Sequence, residues 1–131
     1  MPKDMADLCV LVFDDNSERA SITKQTLRQA GVRKIVIEAD PASPDPNLDQ
    51  SKFDLVVSDM GSDPQSGLEV IRHFRANCLE TRATIPLLAL LDKPDKKTLF
   101  QTIKAGADNV VLKPCAPATI KTKIEQLLAT S

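Results

Sequence analysis

Five short apolar runs, separated by longer polar stretches, are the feature of this 131-residue chain that most restricts its fold. Most of the runs are continuous rather than alternating, and they are rich in valine, isoleucine and leucine. Runs of this kind are typical of strands that helices cover on both faces, as in parallel sheets. The runs span residues 8–13, 35–38, 53–58, 85–91 and 109–112.

The segments between these runs carry apolar residues three and four positions apart, which is the spacing of a helix that buries one face. Gly31 is expected to end the first helix, and helical spacing resumes after Gly67. Pro94 is expected in the first turn of the next helix, which Gly106 ends, and the last helix follows Pro117. Strands that alternate with helices predict right-handed crossovers, and therefore a doubly wound parallel sheet of the α/β class.

One connection departs from this pattern, because three prolines lie within residues 41–46. Each proline inside a helix costs about 3 kcal/mol, so a full helix is not expected there. We expect an extended or turn-rich crossover with at most a short helix near residues 48–52. The second helix of a regular α/β alternation is therefore predicted to be short or missing.

Composition and length exclude several classes of protein. The net charge is -1, so neither nucleic acid nor an anionic membrane is expected as a direct partner. The longest apolar run, residues 85–91, is too short to span a bilayer, and the first residues do not resemble a signal peptide. The 3 scattered cysteines lack the spacing of a zinc site. These features predict one cytoplasmic domain over residues 1–131, with a core over about residues 7–129.

Charged side chains follow three of the predicted strands, at the edge where chemistry collects in open α/β sheets. Asp14 and Asp15 follow the first run, Asp59 follows the third, and Lys113 follows the fifth. A single such aspartate is usually a helix cap or a turn residue, but the combination indicates a site. Carboxylates about 4 Å apart repel by roughly 4 kcal/mol at an effective dielectric of 20, so the cluster favours a cation. Ligands that are all oxygen suit Mg²⁺, and Lys113 could contact a phosphoryl oxygen.

The motifs around these residues resemble the receiver domain of response regulators, of the CheY-like kind. The resemblance rests on the stretches 10–17, 53–59 and 105–114 and on Ser66-Gly67, and it covers roughly the whole chain. It implies a five-stranded flavodoxin-like sheet in the order 2-1-3-4-5. It also implies that the peptide bond before Pro114 is commonly cis.

The resemblance implies a role for each site residue. Asp59 would accept a phosphoryl group from the phosphohistidine of a sensor histidine kinase or a histidine phosphotransfer protein. Asp15, Asp59 and the backbone carbonyl of Gly61 would hold Mg²⁺, with Asp14 binding through water. Lys113 would contact the phosphoryl group. The domain would catalyse at most its own phosphorylation and dephosphorylation, and an unidentified downstream protein would respond to it.

Three positions depart from the family pattern. Leu91 occupies the end of the fourth run, where receivers usually have serine or threonine, and Val110 replaces the usual aromatic residue on the fifth. Asp92 replaces a residue that is commonly small. Two interpretations therefore stay open: a receiver that reports phosphorylation by another movement, or a pseudo-receiver interaction module that acts independently of phosphate. The repulsive carboxylate cluster favours the first.

Other charged residues have a structural and a functional interpretation. Lys93, Lys96, Lys97 and Lys104 form either a solvated face or a docking surface for a protein partner. His73 is expected on a helix surface, away from the strand ends.

Overall fold

The computed structural model describes residues 4–39, 52–81 and 85–130. A short 3-10 helix, Met5–Asp7, precedes the first strand. The strands are β1 (Cys9–Phe13), β2 (Lys34–Glu38), β3 (Leu55–Asp59), β4 (Leu87–Leu91) and β5 (Asn109–Leu112). The α-helices are α1 (Ser17–Gln29), α2 (Pro64–Thr81), α3 (Lys96–Ala105) and α4 (Pro117–Thr130).

All five strands pair in parallel, in the order β2-β1-β3-β4-β5, which confirms the predicted doubly wound α/β fold. The described residues contain four α-helices, which lie on both faces of the sheet. The proline-rich segment at 41–46, and most of the short helix expected near 48–52, lie outside the described residues. No helix in the described ranges is both long and apolar enough to cross a membrane.

Two hydrophobic cores form because successive side chains of a strand point to opposite faces of the sheet. In β1, Val10 and Val12 enter the core that α1 and α4 cover, whereas Leu11 and Phe13 enter the core that α2 covers. This covering on both faces explains why the sequences of the central strands β1, β3 and β4 are continuously apolar. The helical residues buried in these cores include Leu27, Ile120 and Ile124 on one face, and Leu68, Ile71 and Phe74 on the other.

Helix α2 begins at Pro64, three residues before Gly67, where helical spacing was expected to resume. Its start follows Asp63, whose carboxylate accepts hydrogen bonds from the backbone N–H two residues later (3.2 Å) and from the hydroxyl of Ser66 (3.0 Å). Gly67 therefore lies inside the helix. A Cβ atom there would come within 2.6 Å of the sulfur of Met60, so the close approach of α2 to the end of β3 favours glycine.

The prediction that Pro94 lies in the first turn of a helix was wrong by two residues, because α3 begins at Lys96. Asp95 is the capping residue, and its carboxylate accepts the backbone N–H two residues later at 3.1 Å. The predicted helix ends are confirmed. Gly106 (φ 132°) ends α3, and Gly31 (φ 108°) follows α1, both in a backbone region that side chains rarely adopt.

Arg75 ties α2 to the amino-terminal ends of β4 and β5. Its guanidinium donates hydrogen bonds to the carbonyl of Gly106 (2.8 Å), the carbonyl of Ile85 (2.7 Å) and the carboxylate of Asp108 (2.7 Å). The backbone N–H of Leu87 donates to the same carboxylate at 2.8 Å. This contact lies at the edge of the sheet opposite to the acidic residues, so it stabilises the frame without entering the candidate site.

Candidate functional site

The predicted site residues lie together at the carboxyl edge of the sheet. Asp14 and Asp15 directly follow β1, Asp59 ends β3, and Lys113 directly follows β5. The register pairs Phe13 of β1 with the residue before Asp59, so the aspartates of these neighbouring strands lie side by side. Parallel pairing is what brings the three strand ends to one edge.

The carboxylate of Asp59 is fully buried and is held from two sides. Nζ of Lys113 lies 2.7 Å from Oδ1 and 2.8 Å from Oδ2. The backbone N–H of Gly61, in the left-handed region with φ 65°, donates to Oδ1 at 2.8 Å. The peptide bond between Lys113 and Pro114 is cis, as the resemblance implies.

The ammonium group of Lys113 is shared between two carboxylates. Besides Asp59, it contacts Oδ1 of Asp92 at 2.7 Å, so the side chain of Asp92 points into the site. Burial alone would lower the pKa of Lys113, but the hydrogen bonds and the negative charges of these two carboxylates outweigh burial and raise it. Lys113 therefore stays charged at neutral pH.

Arg19, in the first turn of α1, was not predicted as part of the site. Its Nε lies 2.9 Å from Oδ2 of Asp14, and its Nη2 lies 2.6 Å from Oδ1. The same guanidinium reaches Oδ1 of Asp15 at 3.2 Å and lies 3.6 Å from Oδ1 of Asp59. The hydrogen bond to Asp14 is the main cause that raises the pKa of Arg19, and the charges of all three carboxylates add to it.

Local hydrogen bonds fix the position of the Arg19 backbone at the start of α1. Asn16 caps α1, because its side chain accepts the backbone N–H of Arg19 at 2.9 Å. The backbone N–H of Asn16 in turn donates to Asp14 at 3.0 Å. The guanidinium lies over Gly61, where an added Cβ would come within 2.9 Å of Nη1. The sequence signal for this contact was the spacing of four residues between Asp15 and Arg19, although Asp15 lies before the cap of α1.

The donor chemistry at this edge fits Mg²⁺, since the ligands that the resemblance implies are carboxylate oxygens and a backbone carbonyl. Among the described residues, however, no group of three acidic, histidine or cysteine side chains converges in a way that could hold a metal ion. Asp15 is 81% exposed, and it turns its carboxylate to Arg19. The guanidinium thus contacts the carboxylates of Asp14, Asp15 and Asp59.

Two depressions open beside Asp59. One, of about 380 Å³, is largely apolar, and its lining includes Ile22, Leu90 and Lys113. The other, of about 470 Å³, is lined in part by Asp14 and Asp15. Arg19 and Asp59 line both of them, so the guanidinium lies at the boundary between the two.

Leu91 and Val110 lie on the side of the sheet that α2 covers. Leu91 is 3% exposed within that core, and Val110 packs against the same core while partly exposed. The backbone carbonyl of Leu91 accepts the backbone N–H of Lys113 at 2.8 Å. The end of β4 therefore contributes apolar packing and no hydroxyl.

The remaining charged candidates are on the surface. His73 is exposed on α2, as expected. The four lysines named above are also exposed, and three of them lie on α3 beside exposed apolar side chains such as Phe100, which is 67% exposed.

Comparison with known proteins places the chain in a family. It matches the family described as the response regulator receiver domain over residues 10–125. The chemotaxis protein CheY-3 of Vibrio cholerae serotype O1 is 26% identical over 118 residues, which cover 90% of this chain and 89% of that protein. CheY1 of Helicobacter pylori is 28% identical over 123 residues, covering 93% and 98%.

The solved structure of Vibrio cholerae CheY4 has the same fold. It superposes with a TM-score of 0.73 at 22% identity, and the match covers 92% of this chain and 98% of that chain. With the family match over residues 10–125 and this shared sheet topology, the chain belongs to the response regulator receiver domains of two-component signalling.

Proposed function

We propose that Asp59 accepts a phosphoryl group from the phosphohistidine of a sensor histidine kinase or a histidine phosphotransfer protein. The observation that carries the proposal is the contact between Lys113 and both oxygens of Asp59, at most 2.8 Å long, beside two depressions. Family membership supports the class of partner, because receiver domains interact with histidine kinases or phosphotransfer proteins.

The transfer needs one bond to break and one to form. A carboxylate oxygen of Asp59 attacks phosphorus, and the bond from phosphorus to the imidazole nitrogen breaks, with its electron pair staying on the imidazole, which takes a proton from water. Oδ2 is the freer oxygen, since Oδ1 accepts hydrogen bonds from both Gly61 and Lys113. Lys113 then contacts the transferred phosphoryl oxygens as a point charge.

Receiver domains generally bind Mg²⁺ in an acidic pocket, and we propose Asp14, Asp15, Asp59 and the carbonyl of Gly61 as the ligands here, with Asp14 binding through water. When bound, the ion would supply positive charge that offsets the negative charge of the phosphoryl group. The charge balance supports a divalent ion. The four carboxylates at this edge exceed its two cationic groups by two.

Phosphorylation with phosphoramidate, which carries a phosphorus–nitrogen bond like that of phosphohistidine, tests the acceptor. In the presence of Mg²⁺, intact-protein mass spectrometry should detect one added phosphoryl group on the wild type and none on Asp59→Asn. The exposed Asp7→Asn is the matched control and should be modified like the wild type. Equal modification of Asp59→Asn would overturn the assignment.

A second candidate, a pseudo-receiver module that acts independently of phosphorylation, is favoured by the buried Leu91, which offers no hydroxyl to a phosphoryl group. Addition of Mg²⁺ and then beryllofluoride, a phosphoryl mimic, separates the two candidates. A phospho-switch shifts backbone amide resonances beyond the pocket, and Asp59→Ala abolishes these shifts. A pseudo-receiver shows no beryllofluoride response outside the pocket.

Receiver domains are typically signalling modules, and we propose that this chain catalyses at most its own phosphorylation and dephosphorylation. The single domain with a core over about residues 7–129 and the cytoplasmic location stay predictions.

A further inference from the structure

We propose that Arg19 is a built-in cation that competes with Mg²⁺ for the acidic cluster. On this proposal, Mg²⁺ binds only when the guanidinium leaves the carboxylates of Asp14, Asp15 and Asp59. The proposal rests on the proposed function and deepens it, because it names what controls the loading of that site.

The contacts of Arg19 resemble those of a bound cation rather than those of a surface ion pair. Two guanidinium nitrogens form a fork on the carboxylate of Asp14, which is fully buried, at 2.9 and 2.6 Å. Paired hydrogen bonds between guanidinium and carboxylate are among the strong polar contacts in proteins. The same group reaches Asp15 and Asp59 within 3.6 Å. One cation therefore links the ends of β1 and β3, as a bound metal ion would.

Competition follows from charge and space together. The oxygens that Arg19 contacts belong to the same three carboxylates that are proposed to hold Mg²⁺. A guanidinium and a divalent ion that use the same oxygens repel each other and cannot both form these contacts. Departure of Arg19 would leave the remaining site with three excess negative charges instead of two, which strengthens its attraction for a divalent ion.

The side chain of Arg19 can leave without unfolding α1. Its backbone N–H stays bonded to the capping side chain of Asn16, and this bond does not involve the guanidinium. The side chain is already 29% exposed, and it lies at the boundary between the two depressions beside Asp59. Rotation towards solvent would join these depressions, so displacement needs a change of side-chain rotamer only.

Calorimetric Mg²⁺ titration of Arg19→Gln tests the competition. The variant should bind Mg²⁺ more tightly than the wild type, by on the order of ten-fold. In the wild type, Mg²⁺ must first break the charge-assisted hydrogen bonds of Arg19, and the variant lacks these bonds. Arg28→Gln is the matched control, because it removes the same charge from an exposed position on the same helix. Arg19→Lys keeps the charge but loses the fork, and it should give an intermediate affinity.

Thermal unfolding gives a second measurement. Without Mg²⁺, Arg19→Gln should melt below the wild type, because the buried Asp14 loses its cationic partner. Saturating Mg²⁺ should then raise the melting temperature of Arg19→Gln more than that of the wild type or of Arg28→Gln. Equal Mg²⁺-induced shifts in all three proteins would overturn the competition.

Nuclear magnetic resonance of the wild type tests displacement directly, even if Arg19→Gln does not fold. The Nε–H resonance of Arg19 should move towards that of a solvated arginine as Mg²⁺ is added, and the Nε–H resonance of Arg28 should not. Mg²⁺ binding that leaves the Arg19 resonance unchanged would overturn the proposal, as would equal affinities of wild type and Arg19→Gln or no binding to either.

The outcomes separate this proposal from the proposed function. Tighter Mg²⁺ binding by Arg19→Gln without phosphorylation of either protein by phosphoramidate supports competition and refutes the acceptor role. Phosphorylation of both proteins at Asp59, with the same dependence on Mg²⁺ concentration, supports the acceptor role and refutes competition.

Discussion

Asp92 and Asp59 hold the same ammonium group, so the charge of Lys113 is divided between a proposed acceptor and a neighbouring carboxylate. A phosphoryl group on Asp59 would compete with Asp92 for Lys113, and the two would also repel each other. Unit charges 4 Å apart in water interact by about 1 kcal/mol, which corresponds to about a five-fold change in affinity. We therefore expect Asp92→Asn to bind beryllofluoride about five-fold more tightly, measured by amide shifts at saturating Mg²⁺.

Glu125→Gln provides the control for that experiment, because it removes one negative charge from an exposed position on α4. It should bind beryllofluoride like the wild type. An affinity of Asp92→Asn equal to that of the control would mean that Asp92 does not compete for Lys113.

Part of the site could be predicted from the sequence, because parallel strands bring their carboxyl ends to one edge. That rule predicts that Asp14, Asp59 and Lys113 lie together. It could not place Arg19, whose position depends on how α1 starts and on which rotamer a long side chain adopts. The sequence places Asp92 next to the site, but the direction of its side chain depends on the turn after β4.

At the scale of elements, the strands were predicted within two residues at each end, because each is a short apolar run between polar segments. The runs are continuous in β1, β3 and β4, which are buried on both faces. The observed starts of α2 and α3 differ from the predicted ones, because capping carboxylates rather than apolar spacing determine where these helices begin. Asp63 and Asp95 make these caps through hydrogen bonds to nearby backbone and hydroxyl groups. Pro94, which the sequence predicts in the first turn of this helix, precedes the cap.

Arg75 is expected to be a main polar connection between α2 and the sheet. Its replacement by alanine removes three hydrogen bonds and leaves the carbonyl of Ile85 and the carboxylate of Asp108 without this donor. We expect Arg75→Ala to lower the free energy of unfolding by about 2–3 kcal/mol. The chain has no tryptophan or tyrosine, so urea unfolding is best followed by circular dichroism. Arg72→Ala, on the exposed face of α2, should change stability little, and a similar loss in both variants would contradict the role of Arg75.

The cap of α3 should depend on pH. The hydroxyl of Thr98 and the backbone N–H of Lys97 donate to the carboxylate of Asp95 and lower its pKa below the ordinary value. Because the folded state holds the ionised form, the stabilisation is present at neutral pH and is lost as the pH falls below about 4.

The loss of stability in Asp95→Ala should therefore be measurable by urea unfolding at pH 7 and become smaller as the pH falls below about 4. Asp95→Asn keeps the acceptor without titrating, so it should cap α3 at both pH values. A loss in Asp95→Ala that is the same at pH 7 and pH 3 would show that the charge of Asp95 does not contribute to the cap.

For the whole molecule, the decisive question is whether phosphorylation of Asp59 changes the conformation of α3. The family's usual hydroxyl at the end of β4 is replaced by Leu91, which lies in the core that α2 covers, and Val110 packs against the same core. If the pseudo-receiver candidate is right, amide shifts with beryllofluoride in the wild type stay close to the ends of β1, β3 and β5. Leu91→Thr introduces a hydroxyl one residue before Asp92, and shifts should then extend into α3.

Destabilisation alone could spread such shifts, because Leu91→Thr removes buried apolar volume and should cost about 2–4 kcal/mol. Leu87→Thr is the matched control. It makes the same change on the same strand and in the same core, but at the end far from Asp59. It should lose similar stability in urea unfolding and keep the wild-type pattern of shifts. If the shifts extend into α3 in both variants alike, loosened packing rather than the hydroxyl explains the response. Leu91 would then not be the residue that prevents coupling between the site and α3.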